Sequence, residues 1–324
     1  MAYEDVDVVI IGSGAAGGMA AWNLARKGAK VLILEAGEKF NSADFWSHVK
    51  PWEDRERRKR GERPPDFEGL PQRESPFTNA PGQDFLLRRV WGVGGKTNIW
   101  GRVSLRFSEL NMQEPAKDGW EIPWPIHYSE LAPYYDNVEK LIGVNGGDDD
   151  QPWLPGSKHH LPPPNLRCGE KIVRSAFARK GYKVVNGRRA VLTKEHNGRA
   201  PCHYCGACGR GCDVSAFFNS YDYLLADALE TGNLQIVENA IVSRILTNDE
   251  GVADRVQYFD RLTAQEVQIP AKRVIVAASA VDSTRILLNS ESRRHPNGLG
   301  NGADVIGRYL TEQFRFHVEA YAPQ

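Results

Sequence analysis

The sequence predicts an α/β fold built on a parallel βαβ unit, and three observations predict it. An apolar run at Asp7 to Ile11 (DVVII) leads through a glycine-rich turn into Ala15 to Lys27, whose alanine and leucine content favours helix. A second apolar run, Lys30 to Leu34 (KVLIL), follows the closing Gly28 and ends on the carboxylate of Glu35. Far downstream, short runs with strand periodicity add an antiparallel meander to this unit. The handedness rule for such crossovers makes the first two strands parallel.

Composition narrows the partners. The chain has 324 residues, 41% of them hydrophobic, and its 41 Lys plus Arg balance 41 Asp plus Glu. That length suggests about two domains. With no net charge, nothing draws phosphate backbones or anionic lipid, so nucleic acid is not expected and a small molecule is. No apolar run is long enough for a transmembrane segment, and the start, Met1 to Asp5, lacks the layout of a signal peptide. Cytoplasmic residence is the default expectation, with export alongside a partner subunit left open. No internal repeat is present.

Between the βαβ unit and the meander the pattern changes. From Asn41 to Gln83, proline and charge dominate, including the run Glu53 to Arg63, which reads as loops and short helices kept in water. In Arg88 to Arg102 (RRVWGVGGKTNIWGR), Gly95-Lys96-Thr97 matches the end of a Walker loop, but that motif's first glycine would fall on Val90. Asp118 to Pro164 is rich in proline and aromatics, with one helical stretch around Leu131 to Leu141. Helix returns at Tyr221 to Glu230. Strand periodicity then follows at Leu234 to Val237, Ile241 to Leu246, Arg255 to Phe259, Val267 to Ile269 and Arg273 to Ala277, the third and fourth as a hairpin. Ser283 to Leu288 reads as helix.

Gly12-Ser13-Gly14-Ala15-Ala16-Gly17 is G-x-G-x-x-G, a weak string alone but a strong one between a strand and a helix, with an acidic residue about 20 positions on. Gly12 permits the tight turn, Gly14 lets a pyrophosphate approach the backbone, and Gly17 allows close packing of the helix. Ala15 and Ala16 open that helix, whose free N–H groups suit an anion. Glu35 would accept from ribose hydroxyls, and its charge disfavours a phosphorylated ribose. FAD and NAD share this fingerprint. The antiparallel strands ahead of Arg273 to Ala277 resemble the order in glutathione-reductase-like flavoproteins and so favour FAD, with an NAD dehydrogenase as the alternative.

Asp7 to Gly37, Trp91 to Trp100 (WGVGGKTNIW) and Val274 to Leu288 (VIVAASAVDSTRILL) together resemble the glucose-methanol-choline (GMC) oxidoreductases, in family order. Pro296 to Asn301, followed by Ile306 to Leu310, is similar to the family's passage from FAD domain to substrate domain. The resemblance implies a Rossmann-like FAD-binding domain, discontinuous over 1–110 and 215–310. It also implies a cap and Cys-rich insertion at 111–214, and the start of a substrate domain at 311–324. It further implies that Gly12, Gly14 and Gly17 meet the pyrophosphate and Glu35 the adenosine ribose, while Gly94, Gly95, Thr97 and Asn98 pack beside the flavin. Val242 would meet adenine through its backbone, and Ser279 would lie beside the ribose where the family commonly has glycine. Thr311-Glu312-Gln313 departs from an Asp-His pair common in the family. The family's catalytic His is expected beyond Gln324, so the catalytic residues are unknown here. His48, His127, His159, His160, His196, His203, His295 and His317 read as ordinary surface histidines.

Cys202, Cys205, Cys208 and Cys212 are spaced C-x2-C-x2-C-x3-C, as in iron-sulfur ligation, although Asp213 stands where proline is usual. A structural zinc and a metal-free loop are the alternatives. Some bacterial sugar dehydrogenases that resemble this chain carry a cluster on such an insertion. Cys168 reads as a lone thiol. The resulting expectation is an FAD-dependent dehydrogenase acting on CH-OH groups of a sugar or alcohol. Its electrons would pass to an external, cytochrome-like acceptor, with an iron-sulfur cluster as the candidate relay; the alternatives are an oxygen-using oxidase and a catalytically incomplete FAD-binding fragment.

Overall fold

The computed structural model describes residues 5–40, 45, 47, 49–62, 80–82, 89–119, 123–147, 153–209, 211–310 and 319. Its frame is a four-stranded parallel sheet. β1 (Val8–Ile11) and β2 (Val31–Leu34) flank the helix α1 (Ala15–Arg26), and β3 (Leu234–Val237) and β7 (Val274–Val276) complete the order β3-β2-β1-β7. β1 pairs with β2 from Val8↔Val31 to Ile11↔Leu34. Every residue of β1 and β2 is buried, which is why both read as unbroken apolar runs: helices cover one face of a parallel sheet and further structure the other.

Side chains alternate between two cores. Val9, Ile11, Leu32 and Leu34 pack against an antiparallel layer, while Val8, Ile10, Val31 and Ile33 pack against α1 and α6 (Ala226–Glu230). The antiparallel layer is the meander β4 (Ala240–Thr247), β5 (Ala253–Asp260) and β6 (Glu266–Pro270), in sheet order. Its inward residues include Val242, Ile245, Val256, Tyr258 and Ile269. Each fully buried branched side chain contributes about 1.5–3 kcal/mol, so these two cores fix the register. β5 and β6 form the expected hairpin. The helix α7 (Ser279–Asn289) begins earlier than its apolar residues suggest.

The segment between sheet strands holds α2 (Pro51–Lys59), α3 (Glu109–Lys117), α4 (Tyr128–Ile142) and α5 (Cys168–Ala178). α2 carries the charge run and buries none of its residues. Pro115 hides α3 in the sequence, because a helix interior normally rejects proline. α5 was also not anticipated, and its Ile172, Val173 and Phe177 are exposed. A buried ion pair ties the segment together: Arg106 donates Nε to Glu139 Oε1 at 2.9 Å and Nη1 to the Tyr128 hydroxyl at 3.1 Å. Burial would raise the Glu139 pKa, but the hydrogen bonds from Arg106, with His160 and Ser157 close by, hold it down at about 2.

His160 corrects an expectation. Its side chain is only 6% exposed, beside Glu139 of α4 and against Gly146, and its Nε2 lies 3.7 Å from Glu139 Oε2. His48, His317 and Thr311-Glu312-Gln313 lie outside the described residues, as does 311–324 apart from Glu319.

Candidate functional site

The three glycines of the fingerprint have different reasons to be glycine. Gly12 has φ +94°, and a Cβ there would stand 2.6 Å from the Ala277 carbonyl oxygen at the end of β7. A Cβ on Gly17 would come within 1.9 Å of the Gly12 carbonyl oxygen, so α1 could not lie where it does. Gly14 differs. Its φ is −64°, and a Cβ there would meet no atom of the described residues within 4 Å. Nothing in the packing of the described residues requires glycine at this position, and the backbone there is open to close approach.

Ala15 and Ala16 are exposed in the first turn of α1, whose N-cap is Gly14, with no side-chain cap and no acidic residue in the first turn. The helix N-terminus therefore keeps its unpaired N–H groups and partial positive charge available to an anion.

Glu35 follows β2 and is buried. Its Oε2 accepts from the Ser13 backbone N–H at 3.0 Å and from Ser13 Oγ at 2.5 Å, and its Oε1 accepts from Gly37 N–H at 3.2 Å. Burial raises its pKa, and the Ser13 and Gly37 hydrogen bonds oppose that rise. The carboxylate is thus oriented by the glycine loop itself, with lone pairs left for a diol.

The second glycine-rich block closes over this loop. Gly94 (φ +94°) caps a 3-10 turn at Gly95–Asn98. Gly94 N–H donates to Ser13 Oγ at 2.9 Å, and a Cβ on Gly95 would lie 3.6 Å from the Gly14 Cα. Gly37 lets the end of β2 approach this block, since a Cβ there would collide with the Trp91 backbone at 2.1 Å. Thr97 and Asn98 are buried, and their side chains turn inward: Thr97 Oγ1 donates to Gly94 O, and Asn98 Nδ2 donates to the carbonyls of Val93 and Gly95. They shape the turn. A cavity of about 450 Å³ opens beside Asn98, lined also by Lys39, Phe40, Phe45, Val93, Asn219, Tyr221 and Asp222.

Val242 is buried on β4, and its carbonyl accepts from Arg285 Nη2 at 2.9 Å. Ser279 opens α7 with φ +69°, the left-handed region that favours glycine. The described histidines do not gather at this site. His127 pairs with Glu109 at 2.8 Å, which raises its pKa, and His196 and His295 donate to the Lys140 and Gly251 carbonyls.

The cysteine loop is another matter. Cys212 is buried and Cys205 exposed, with Cys202 and Cys208 between. Burial pushes the Cys202 and Cys212 thiols up in pKa. Cys202 Sγ accepts from Tyr204 N–H and Cys212 Sγ from Ala216 N–H. Among the described residues, no group of three or more His, Cys, Asp or Glu stands close enough to hold a metal ion. The residues as placed do not fit an iron-sulfur cluster, despite their spacing. The loop does adjoin the glycine-rich block, because Trp100 packs on Cys212, Ala216 and Phe217 and donates Nε1 to the Phe218 carbonyl at 2.8 Å.

Sequence reasoning missed Ser13, Gly18, Gly37 and Ser220. The doubled Gly17-Gly18 was the available signal for one of them: a Cβ on Gly18 would overlap Ser220 Oγ at 1.9 Å.

Comparisons with known proteins point to one family. The GMC oxidoreductase family profile matches residues 6–314. The chain is 31% identical to 6'''-hydroxyparomomycin C oxidase of Streptomyces lividus over 94% of its own length and 54% of that protein's. It is 24% identical to the fructose dehydrogenase large subunit of Gluconobacter japonicus, over 94% and 58% respectively. Among solved structures, an FAD-dependent oxidoreductase from Chaetomium thermophilum superposes with a TM-score of 0.59 at 15% identity, over 88% of this chain and 47% of that one. The chain spans about half the length of the relatives it matches.

Proposed function

The chain belongs to the GMC oxidoreductase family, and from that premise we propose that it is the FAD-binding part of an oxidoreductase acting on CH-OH groups of a sugar or alcohol. The observation that carries the cofactor reading is Gly14, a glycine that the packing of the described residues does not need, set at the uncapped N-terminus of α1. There the backbone N–H groups of the glycine loop would bind the pyrophosphate. Glu35, held by Ser13 and Gly37, would accept from the ribose hydroxyls. The Gly94–Asn98 turn would bound the flavin side, with Val242 and Ser279 at the adenosine side. When bound, FAD supplies the two-electron acceptor for the hydride of a CH-OH carbon.

The substrate class rests on relatives. Names such as fructose dehydrogenase and 6'''-hydroxyparomomycin C oxidase describe sugar or aminoglycoside chemistry, and they include both a dehydrogenase and an oxidase. An external electron-transfer protein rests on the family resemblance, and an iron-sulfur relay at Cys202, Cys205, Cys208 and Cys212 on that resemblance and the thiol spacing, so no electron step is routed through that loop. Cytoplasmic residence stays a proposal.

The experiment is an anaerobic purification followed by an absorption spectrum, an FAD titration of the cofactor-free chain, and iron and sulfide assays. Flavin absorption, retained or restored by added FAD, is the expected result. A colourless chain that takes up no FAD sinks the cofactor reading. Flavin without iron or sulfide removes the relay and favours the oxidase alternative.

A further inference from the structure

We propose that Ser220 is a positioning residue for the dinucleotide site, holding the glycine loop and the Gly94–Asn98 turn in one arrangement; the inference rests on the FAD reading above. Ser220 is completely buried, in the segment that runs from Cys212 into α6. Its hydroxyl lies 2.8 Å from the Ser13 carbonyl oxygen and 3.1 Å from that of Gly14, and its one proton is shared between them. Its backbone N–H donates to Thr97 Oγ1 at 2.9 Å. Ser13 Oγ in turn donates to Glu35 and accepts from Gly94 N–H. Three separated stretches of chain, the phosphate loop, the flavin-side turn and the Ser220 segment, are thereby closed into a ring of hydrogen bonds, from which the ribose-facing carboxylate of Glu35 hangs on Ser13.

The orientation of one peptide gives Ser220 its consequence. In a trans peptide the C=O and the next N–H point in opposite directions. Holding the Ser13 carbonyl inward on Ser220 therefore turns the Gly14 N–H away from Ser220. The Gly14 carbonyl is already taken by the α1 ladder through Gly18 N–H at 2.8 Å, so the Ser13 peptide is the one whose orientation depends on Ser220. Gly18 fits the same account: any larger residue would evict the hydroxyl.

The test compares two buried serines. Ser290 is also buried, donates to the Ile286 carbonyl and accepts from Ile245 N–H, on the meander core away from the loop. Ser220→Ala and Ser290→Ala each remove a buried hydroxyl, and both should lower the melting temperature of the FAD-free chain. In a fluorescence titration, Ser220→Ala should weaken FAD binding about tenfold, the loss expected of one hydrogen bond, while Ser290→Ala stays within about twofold of wild type. Wild-type affinity in Ser220→Ala, or an equal loss in Ser290→Ala, overturns the proposal. If Ser220→Ala does not fold, Ser220→Cys keeps the side-chain shape, slightly enlarged, with a weaker donor; weaker FAD binding than wild type then supports the proposal and unchanged binding overturns it. A wild-type chain that binds no FAD overturns the cofactor reading and this inference together, a result distinct from weak binding confined to the Ser220 variants.

Discussion

Two loops of this chain carry residue spacings that point to chemistry, and only one has a framework that turns spacing into a site. The glycine loop lies between β1 and α1, and its conformation is dictated by the Ala277 carbonyl, by Ser220 and by the carboxylate of Glu35. The cysteine loop is irregular chain whose thiols range from exposed to buried, and the described ones do not converge. A motif acts through distances, and distances come from the elements at its ends. Strand-turn-helix fixes six residues tightly, whereas an irregular stretch from Cys202 to Cys212 fixes few.

The largest expected effects separate packing from binding within the glycine loop. Gly17→Val places carbon atoms where the Gly12 carbonyl stands, and should cost roughly 3 kcal/mol or more of stability along with FAD uptake, read by thermal melting and titration. Gly14→Ala meets no atom of the described residues, so its stability should stay within about 1 kcal/mol of wild type. Its FAD affinity should nevertheless fall about a hundredfold, because the methyl occupies the approach to the backbone. Equal melting losses in both variants would erase the distinction between the two glycines.

The cysteine loop should respond more weakly. Cys212→Ser buries a hydroxyl in an apolar cluster with Ala216 and Phe217 and should cost about 1–2 kcal/mol. Cys205→Ser, at an exposed thiol, should change stability by less than about 0.5 kcal/mol. If metal analysis finds iron and sulfide that both substitutions abolish, the loop closes around a cluster in the full protein, and the contrast with the glycine loop fails.

A pH titration sharpens the contrast again. Burial raises the Glu35 pKa above the ordinary glutamate value. The FAD-free chain therefore binds an extra proton in that window when folded, and this contribution to its stability declines as pH rises through the folded pKa. FAD affinity should move the other way, because ribose hydroxyls donate to the ionised form. Affinity that does not rise with pH across this window would remove Glu35 from the ribose.

Much of the frame was legible because its signals are local. The β1 and β2 runs, the helix between them and the hairpin β5–β6 follow from apolar periodicity in windows of a few residues. What stayed hidden depends on distant chain. Ser13 and Ser220 are 207 positions apart; Ser13 is a variable position of the fingerprint and Ser220 belongs to no recognisable motif. His160 is buried by distant chain, beside Glu139 of α4 and against Gly146. Thr97 and Asn98 were legible as members of the flavin-side turn, but the inward direction of their side chains was not. α5 was legible but missed: Ile172, Val173, Ala176 and Phe177 recur at helical spacing, although Ile172, Val173 and Phe177 remain exposed among the described residues.

A modest effect of the opposite sign concerns a residue that breaks a local rule inside the better-determined site. Ser279 adopts φ +69° where β7 turns into α7. A left-handed conformation costs a residue with a Cβ about 1–2 kcal/mol. Glycine removes that strain but loses roughly 0.5–1 kcal/mol through the greater freedom of its unfolded chain. Ser279→Gly should therefore stabilise the protein by about 0.5–1 kcal/mol, a rise in melting temperature of about 2 °C for a chain of this size. A fall instead would mean that the Ser279 side chain contributes more than its backbone strain costs, and FAD titration of the same variant would show whether that contribution is made to the cofactor.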